Sequence, residues 1–303
     1  MDRVVVVTKP TRLEELIAQY LTEGAAQFSL ESQGKSIEPY RVEDATYRAA
    51  LAEIHRQIPN DLSVTTVSRR DVPHFLFRDN DLIVACGPDG LFINLAKYVG
   101  DQLVLTVNPD PRQVAGALML FPPSAVGKAI AQVRAGTHQV ERLPFAKAVV
   151  DDRVVWGIGD IFIGRRDHIS ARYEISFDGR QEVQSSSGII VSTGIGCPGW
   201  IRSIATMAAG LHFGRLPRAL EGLPSATDAQ LVFVVREPFP SPDTGVSIVT
   251  GRVFPSEPLR VTSTMPTGGC IFSDGVTEKV TDWRAGSEVV VSVGERFIQR
   301  VAR

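Results

Sequence analysis

Apolar positions follow two different rhythms along this chain, and the change between them falls after a helical stretch at about residues 125–134. In the first part, unbroken apolar or β-branched runs at residues 4–7, 62–67, 82–86 and 103–107 alternate with stretches whose apolar positions recur every three or four residues. One such stretch follows Thr11-x-x-Glu14, a capping-box pattern, and places Leu13, Leu16, Ile17 and Tyr20 on one face. A second covers about residues 45–58 and stops at Pro59-Asn60. Runs without polar alternation suit strands buried on both faces, and strands separated by helices suit a parallel sheet. Asn108-Pro109-Asp110-Pro111 breaks the pattern, because prolines this close together continue neither a helix nor a central strand.

After a helical stretch at about 125–134, most segments are short and β-like: 141–150, 159–164, 171–177, 188–192, 231–235, 247–250 and 259–264. Asp178-Gly179 and Ser273-Asp274-Gly275 are the clearest turns between them. One helical stretch, 201–209, follows the glycine-rich residues 194–199. The predicted architecture is an α/β N-terminal domain with a parallel sheet over residues 1–122 and a β-rich domain over 123–303. The last segments, 288–293 and 297–301, either close the second domain or return to the first.

Composition narrows the classes. A 303-residue chain with 44% hydrophobic and 22% charged residues is that of an ordinary globular protein long enough for two domains. The net charge of −2 gives no broad electrostatic reason to bind nucleic acid or an anionic membrane. The four valines after Arg3 are too few for a signal-peptide core, and no run approaches the roughly 20 apolar residues of a membrane span. Cys86, Cys197 and Cys270 lie far apart and are odd in number, which points to a reducing compartment and a cytoplasmic protein. The histidines are scattered singly, so no metal site built by the protein alone is expected.

The stretch richest in chemical information is Asp81 to Gly90, DLIVACGPDG, with Leu91, Phe92, Leu95 and Ala96 following at helical spacing. A buried strand that ends in a Gly-rich turn and feeds a helix presents backbone N–H groups that hold phosphate. An aspartate inside such a turn repels phosphate but suits a carboxylate facing a hydroxyl that must lose its proton. The combination Gly87-Pro88-Asp89-Gly90 therefore suggests phosphoryl transfer to an alcohol. The same residues also suit a plain strand–helix turn with Asp89 as its cap. Lys9 follows the first strand, at the sheet edge where parallel sheets bind ligands, although most lysines so placed are simply surface residues. A second Gly/Ser/Thr-rich turn before a helix, Ser192 to Trp200, offers another anion site, and Trp200 either stacks on a flat ligand or packs in the core. Asp160 heads an apolar strand, where an acid can bond ribose hydroxyls or simply make a turn; Arg165 and Arg166 follow that strand.

In order, these clusters resemble the NAD kinase family, its mitochondrial-type branch above all. Gly87-Pro88-Asp89-Gly90-Leu91 stands in the place of the family's GGDGT, and Val107-Asn108-Pro109-Asp110-Pro111-Arg112 looks like its VNTDPER segment. Gly159-Asp160-Ile161-Phe162-Ile163-Gly164 resembles NEVFIG, Tyr173-Glu174-Ile175-Ser176 resembles YEIS, and Ser186-Ser187-Gly188 resembles SSG. Residues 193–200 resemble TGTGSKAW, and Arg236-Glu237-Pro238 and Asp274-Gly275 also have counterparts. The resemblance implies a two-domain kinase, usually a homodimer or homotetramer, with its substrate in the cleft between the domains. It implies phosphate transfer from ATP (polyphosphate in some members), with Mg²⁺ or another divalent cation, to the 2′-hydroxyl of NAD's adenosine ribose, giving NADP. By the same resemblance Asp89 is the catalytic base or hydroxyl-orienting group, Gly87 and Gly90 hold phosphate, and Gly159, Asp160, Ser187, Thr193, Gly196, Pro198 and Trp200 bind the substrate. The departures fall on substrate-facing positions. Pro88 removes a backbone donor, Leu91 replaces a threonine, Gly159 replaces an asparagine, and Ile195, Cys197 and Pro198 replace polar residues. The alternatives are a kinase for another nucleotide or a polyol, or a non-catalytic nucleotide-binding or sensor protein of the same fold.

Overall fold

The computed structural model describes residues 1–113, 116–211, 214–215, 221–275 and 280–303, so His212 lies outside the described residues. The chain divides into two compact units: Met1–Glu141 with Ile298–Arg303, and Arg142–Phe297.

The first unit runs β1 (Arg3–Thr8), α1 (Arg12–Tyr20), α2 (Glu23–Ser32), α3 (Glu38–Gln57), β2 (Ser63–Ser68), β3 (Asp81–Cys86), α4 (Asp89–Ala96), β4 (Leu103–Val107) and α5 (Val126–Ala135). Its strands lie parallel in the order β2-β1-β3-β4. All six residues of β3 are buried, as the unbroken apolar run requires for a central strand covered on both faces. Tyr47, Ile54 and Ile58 from α3 or its end and Val126, Ala129 and Ile130 from α5 share one core with Val4, Val6, Leu82, Val84, Leu105 and Val107. That packing assigns α5 to the first unit, so the division falls at 141/142, where the β-like rhythm begins, and not at the expected boundary of 122/123. The Thr11–Glu14 capping box is present at the start of α1.

The second unit contains β5 (Val140–Val150), β6 (Arg153–Gly157), β7 (Asp160–Arg165), β8 (Ala171–Phe177), β9 (Arg180–Ser186), β10 (Ile189–Ser192), α6 (Trp200–Leu211), β11 (Leu231–Val235), β12 (Thr250–Val253), β13 (Leu259–Ser263), β14 (Gly269–Ser273), β15 (Thr281–Asp282) and β16 (Glu288–Val301). One antiparallel sheet has the order β12-β11-β10-β7-β14-β15, and β16-β13-β8-β9 lie consecutively in another. Ile161, Ile163, Ile189, Val191 and Phe233 share a core with Tyr173, Ile175, Val261, Val289 and Val291. The alternate residues Phe162, Ile190, Val232 and Val234 pack with Ile201 and Ala205 of α6 instead. Strands covered on both sides explain why β10 and β11 carry no polar alternation. The segments 288–293 and 297–301 form the single strand β16, whose start pairs antiparallel with β13 and whose residues Gln299 and Arg300 pair parallel with β4. The fold class is the one the apolar rhythm implies: an α/β unit with a parallel sheet and a β-rich unit.

Candidate active site

In the first unit, β3 delivers the chain into the Gly87–Gly90 turn. Pro88 occupies the N-cap position and Asp89 is the first residue of α4, so Asp89 is not the cap itself. The Gly87 N–H is spent on the Val107 carbonyl at 3.1 Å, and Leu91 N–H donates to the Pro88 carbonyl at 2.9 Å. With no amide hydrogen on Pro88, the N–H groups that the first turn of α4 leaves without a helical partner include those of Asp89 and Gly90. A Cβ at Gly87 would stand 2.9 Å from Leu91 Cδ2, the far end of a side chain that can shift. Gly90 is exposed, with nothing within 4 Å of where a Cβ would lie.

The Asp89 carboxylate is half-buried and holds a loop. Its Oδ2 accepts from Ala117 N–H at 3.1 Å and its Oδ1 from Leu118 N–H at 3.0 Å. Each oxygen keeps a further lone pair, so the group can still accept a hydroxyl proton while it is held in place.

Beside this turn lies a cavity of about 700 Å³ lined by Lys9, Thr11, Tyr47, Gly87, Pro88 and Asp110, among others of the same unit. The Lys9 Cγ is 3.7 Å from the point a Gly87 Cβ would occupy, so Lys9 borders the phosphate turn. Arg12, also on the cavity wall, is paired with Glu43 and lies over the Tyr40 ring. Sequence reasoning passed over Tyr47. It is buried in the helix that covers the sheet, accepts from the Lys9 N–H at 3.1 Å and donates to the Cys86 carbonyl at 2.8 Å. Burial pushes its phenol well above the usual range, so the hydroxyl stays protonated and able to donate.

The second unit gathers Gly159, Asp160, Thr193 and Gly196. Asp160 opens β7 opposite Ser192 of β10. Burial pushes its carboxyl up to about 7, against a Ser192 hydrogen bond that lowers it and with Asp274 adding to the rise. Its Oδ1 is buried without a partner among the described residues. Asp274 explains how the turn before β7 is held: its Oδ1 accepts from the N–H groups of Gly159 at 2.7 Å and Asp160 at 3.1 Å, and its Oδ2 from Ile158 at 3.3 Å. In the sequence Asp274 showed as a Ser-Asp-Gly turn with a family counterpart, without a role assigned to it. Thr193 is wholly buried; its hydroxyl donates to the Ile158 carbonyl at 2.5 Å and accepts from Ile195 and Gly196 N–H. Gly196 cannot carry a side chain, since a Cβ would stand 2.4 Å from both the Gly159 carbonyl oxygen and Ser192 Oγ.

The remaining candidates of this unit are less tightly grouped. Ser187 and Thr193 lie at opposite ends of β10, on the order of 20 Å apart at the rise of an extended chain. The Ser187 N–H donates to the Arg236 carbonyl, and the Arg236 guanidinium lies 5.6 Å from the Trp200 ring centroid. Trp200 is half-buried and stacked on Phe162 at 5.8 Å, while Pro198 is exposed. Arg165 is paired with Asp167 and Arg166 with Asp282.

No family model matches the chain. An NAD kinase of Saccharolobus islandicus is 26% identical over 123 residues, covering 41% of this chain and 47% of that protein. Human mitochondrial NAD kinase 2 is 28% identical over an alignment of 264 residues, covering 68% of this chain and 59% of that protein. The chain thus spans about half the length of the curated relatives it matches. Yeast NADH kinase, solved with NADH, superposes with a TM-score of 0.61 at 17% identity over 100% of this chain and 84% of that one. An NAD kinase from Archaeoglobus fulgidus, solved with ATP, gives 0.60 at 17% identity over 99% and 93%. The chain is a divergent relative of the NAD kinases. In this NAD kinase relative no helix among the described residues is long and apolar enough to cross a membrane.

Proposed function

We propose that this chain is an ATP-dependent phosphotransferase of the NAD kinase type, acting on a ribose hydroxyl and converting NAD to NADP. The observation that carries the proposal is the Asp89 turn: a carboxylate fixed at the start of α4, the N–H groups of Asp89 and Gly90 open beside it, and a cavity with Lys9 on its wall. In the transfer, Asp89 takes the hydroxyl proton as the hydroxyl oxygen bonds to the γ-phosphorus, and the bond to the bridging oxygen breaks to release ADP. The helix start and Lys9 stabilise the phosphate charge throughout.

Among the described residues no three His, Cys, Asp or Glu side chains gather to hold a metal ion. A Mg²⁺ ion usually needs only one or two carboxylates beside substrate phosphates, and Asp110 on the cavity wall suits that role. When bound, the ion neutralises phosphate charge. In the second unit, Gly159, Asp160 and the 193–196 turn form the substrate-reading surface, with Ser187, Pro198 and Trp200 as its more distant members. A homodimer or homotetramer in the cytoplasm completes this assignment, and light scattering on the purified protein tests the assembly.

A second assignment, nucleotide binding without turnover or transfer to another hydroxyl, is favoured by the way the polar groups are spent. The Gly87 N–H, the Thr193 hydroxyl and one site on each Asp89 oxygen are all engaged within the protein. Incubation with ATP, Mg²⁺ and NAD, with NADP read enzymatically, separates the two. NADP formed by wild-type protein and lost in Asp89→Ala supports the first. ATP binding by calorimetry with no transfer to NAD or to a panel of nucleosides and polyols supports the second.

A further inference from the structure

We infer that Tyr47 is a positioning residue for the phosphate donor, fixing the Lys9 loop against the Gly87–Gly90 turn from the face of α3. The inference rests on the donor-site assignment above and deepens it.

The sheet ends at two separate places along the chain. β1 stops at Thr8 and β3 at Cys86, and each is followed at once by residues that line the cavity: Lys9, Pro10 and Thr11 after the first, Gly87 and Pro88 after the second. The parallel ladder holds the strands in register only as far as Val7 opposite Ala85. Beyond that point the two cavity walls need another link, and the Tyr47 hydroxyl supplies one. It accepts from the Lys9 N–H at 3.1 Å and donates to the Cys86 carbonyl at 2.8 Å, a single oxygen bridging both strand exits. Tyr47 is 9% exposed, so little water is available to replace it.

The same helix face holds the loop a second time. Asp44, one turn before Tyr47, accepts from the Thr11 hydroxyl at 2.7 Å while Arg48 pairs with it from the other side. Thr11 is also the N-cap of α1, with its side chain accepting from Glu14 N–H. Residues 9 and 11 are thus tied to residues 47 and 44 of one helix, and residue 47 alone reaches across to β3. A general fold-holding role would not require the link to fall between two cavity-lining segments. A donor site does, because Lys9 and the helix start must face the same phosphate within a few tenths of an ångström.

Tyr47→Phe keeps the ring and removes the bridge. A single hydrogen bond of this kind corresponds to about a 3- to 10-fold change in an equilibrium constant. The expected result is a rise of that size in the KM and calorimetric Kd for ATP, with kcat and the KM for the acceptor within about twofold of wild type. Ile54→Val, on the same helix and in the core beneath the sheet, is the matched control for lost stability and should leave the ATP KM unchanged. Asp44→Ala, which removes the acceptor for the Thr11 hydroxyl, should raise the ATP Kd about 2- to 5-fold and serves equally if Tyr47→Phe does not fold. Wild-type protein that binds no ATP overturns the donor site and the clamp together. Wild-type protein that binds ATP, with Kd unchanged in the folded variant or variants, overturns the clamp alone, as does an effect confined to kcat.

Discussion

Gly90→Ala tests the phosphate turn most sharply, because packing and ligand binding pull the result in opposite directions. Gly90 is the second residue of α4, has no left-handed backbone angle, and would place its new methyl in open space, with no heavy atom within 4 Å. Nothing in the folded protein resists the change. The unfolded chain loses backbone freedom, so the substitution should stabilise by about 0.4–1 kcal/mol. For a chain of 303 residues this is a rise in Tm of about 1–2 °C in differential scanning calorimetry. A phosphate seated on the Asp89 and Gly90 N–H groups, however, needs the glycine's bare surface. Blocking one charge-assisted bond costs about 1.5–3 kcal/mol, or roughly 10- to 100-fold in ATP affinity by titration calorimetry. Gly87→Ala supplies the contrast: a Cβ there meets the Leu91 side chain at 2.9 Å, so the rise in Tm expected of Gly90→Ala should be absent. If Gly90→Ala lowers Tm, the packing argument is wrong; if it binds ATP as wild type does, the turn does not hold phosphate.

Three further outcomes follow from the same geometry. Asp160 has a carboxyl raised to about 7 by burial, so the folded protein holds a proton there that the unfolded chain releases near pH 4, and stability contributed by the neutral form is lost as pH rises from about 4 through 7; Asp160→Asn should flatten that slope in Tm measured across pH 4.5 to 8. Asp81 shows the opposite sign: burial alone would raise its carboxyl, but the Arg3 guanidinium and the Arg78 N–H outweigh burial and hold it below the usual range, so its stability is present above about pH 4 and lost as pH falls further; Asp81→Asn should cost about 3 kcal/mol at pH 7 in urea melts and weaken the acid limb. Gly194→Ala should prevent native folding of the second unit, since a Cβ would stand 1.8 Å from the Ser225 carbonyl oxygen, and a near-native circular dichroism melt would contradict the close approach.

Local chemistry accounts for most of what the sequence revealed. The β3 run and the residues after it carried their own instructions: unbroken apolar character for a central strand, then a glycine, proline and aspartate that stop it and start a helix. The capping box at Thr11 is equally local. α2 escaped notice because EGAAQFSLES offers only a weak apolar stripe, with Ala26 and Leu30 buried and Phe28 exposed. β6 and β14 escaped because neither opens as an apolar run: β6 begins on the exposed Arg153, and β14 on a glycine that takes its place from the Trp283 carbonyl, 2.0 Å from a would-be Cβ. Tyr47 went unmarked, and Asp274 was marked only by its turn and its family counterpart, for a different reason. Their roles lie in bonds to Lys9, Cys86 and residues 158–160, far away in sequence, and no periodicity announces such bonds.

The hydroxyl-bearing residues of the 192–200 turn serve the protein more than a ligand. In a sequence, Thr193 and Ser192 look like ligand contacts, because a hydroxyl in a glycine-rich turn can serve either a substrate or the turn. The structure gives the Thr193 hydroxyl to the turn, bonded to the Ile158 carbonyl, while Ser192 Oγ lies 3.1 Å from the Thr193 carbonyl and beside Asp160. The polar atom left over in that cluster is Asp160 Oδ1. A carboxyl held near neutrality in a buried site can donate as well as accept, whereas an ionised one only accepts. On the proposed assignment of Asp160 to the substrate, that contact turns on one proton: a ligand that offers an acceptor to Asp160 should bind more tightly on the acid side of about pH 7 than on the alkaline side, which titration calorimetry on either side of that pH checks.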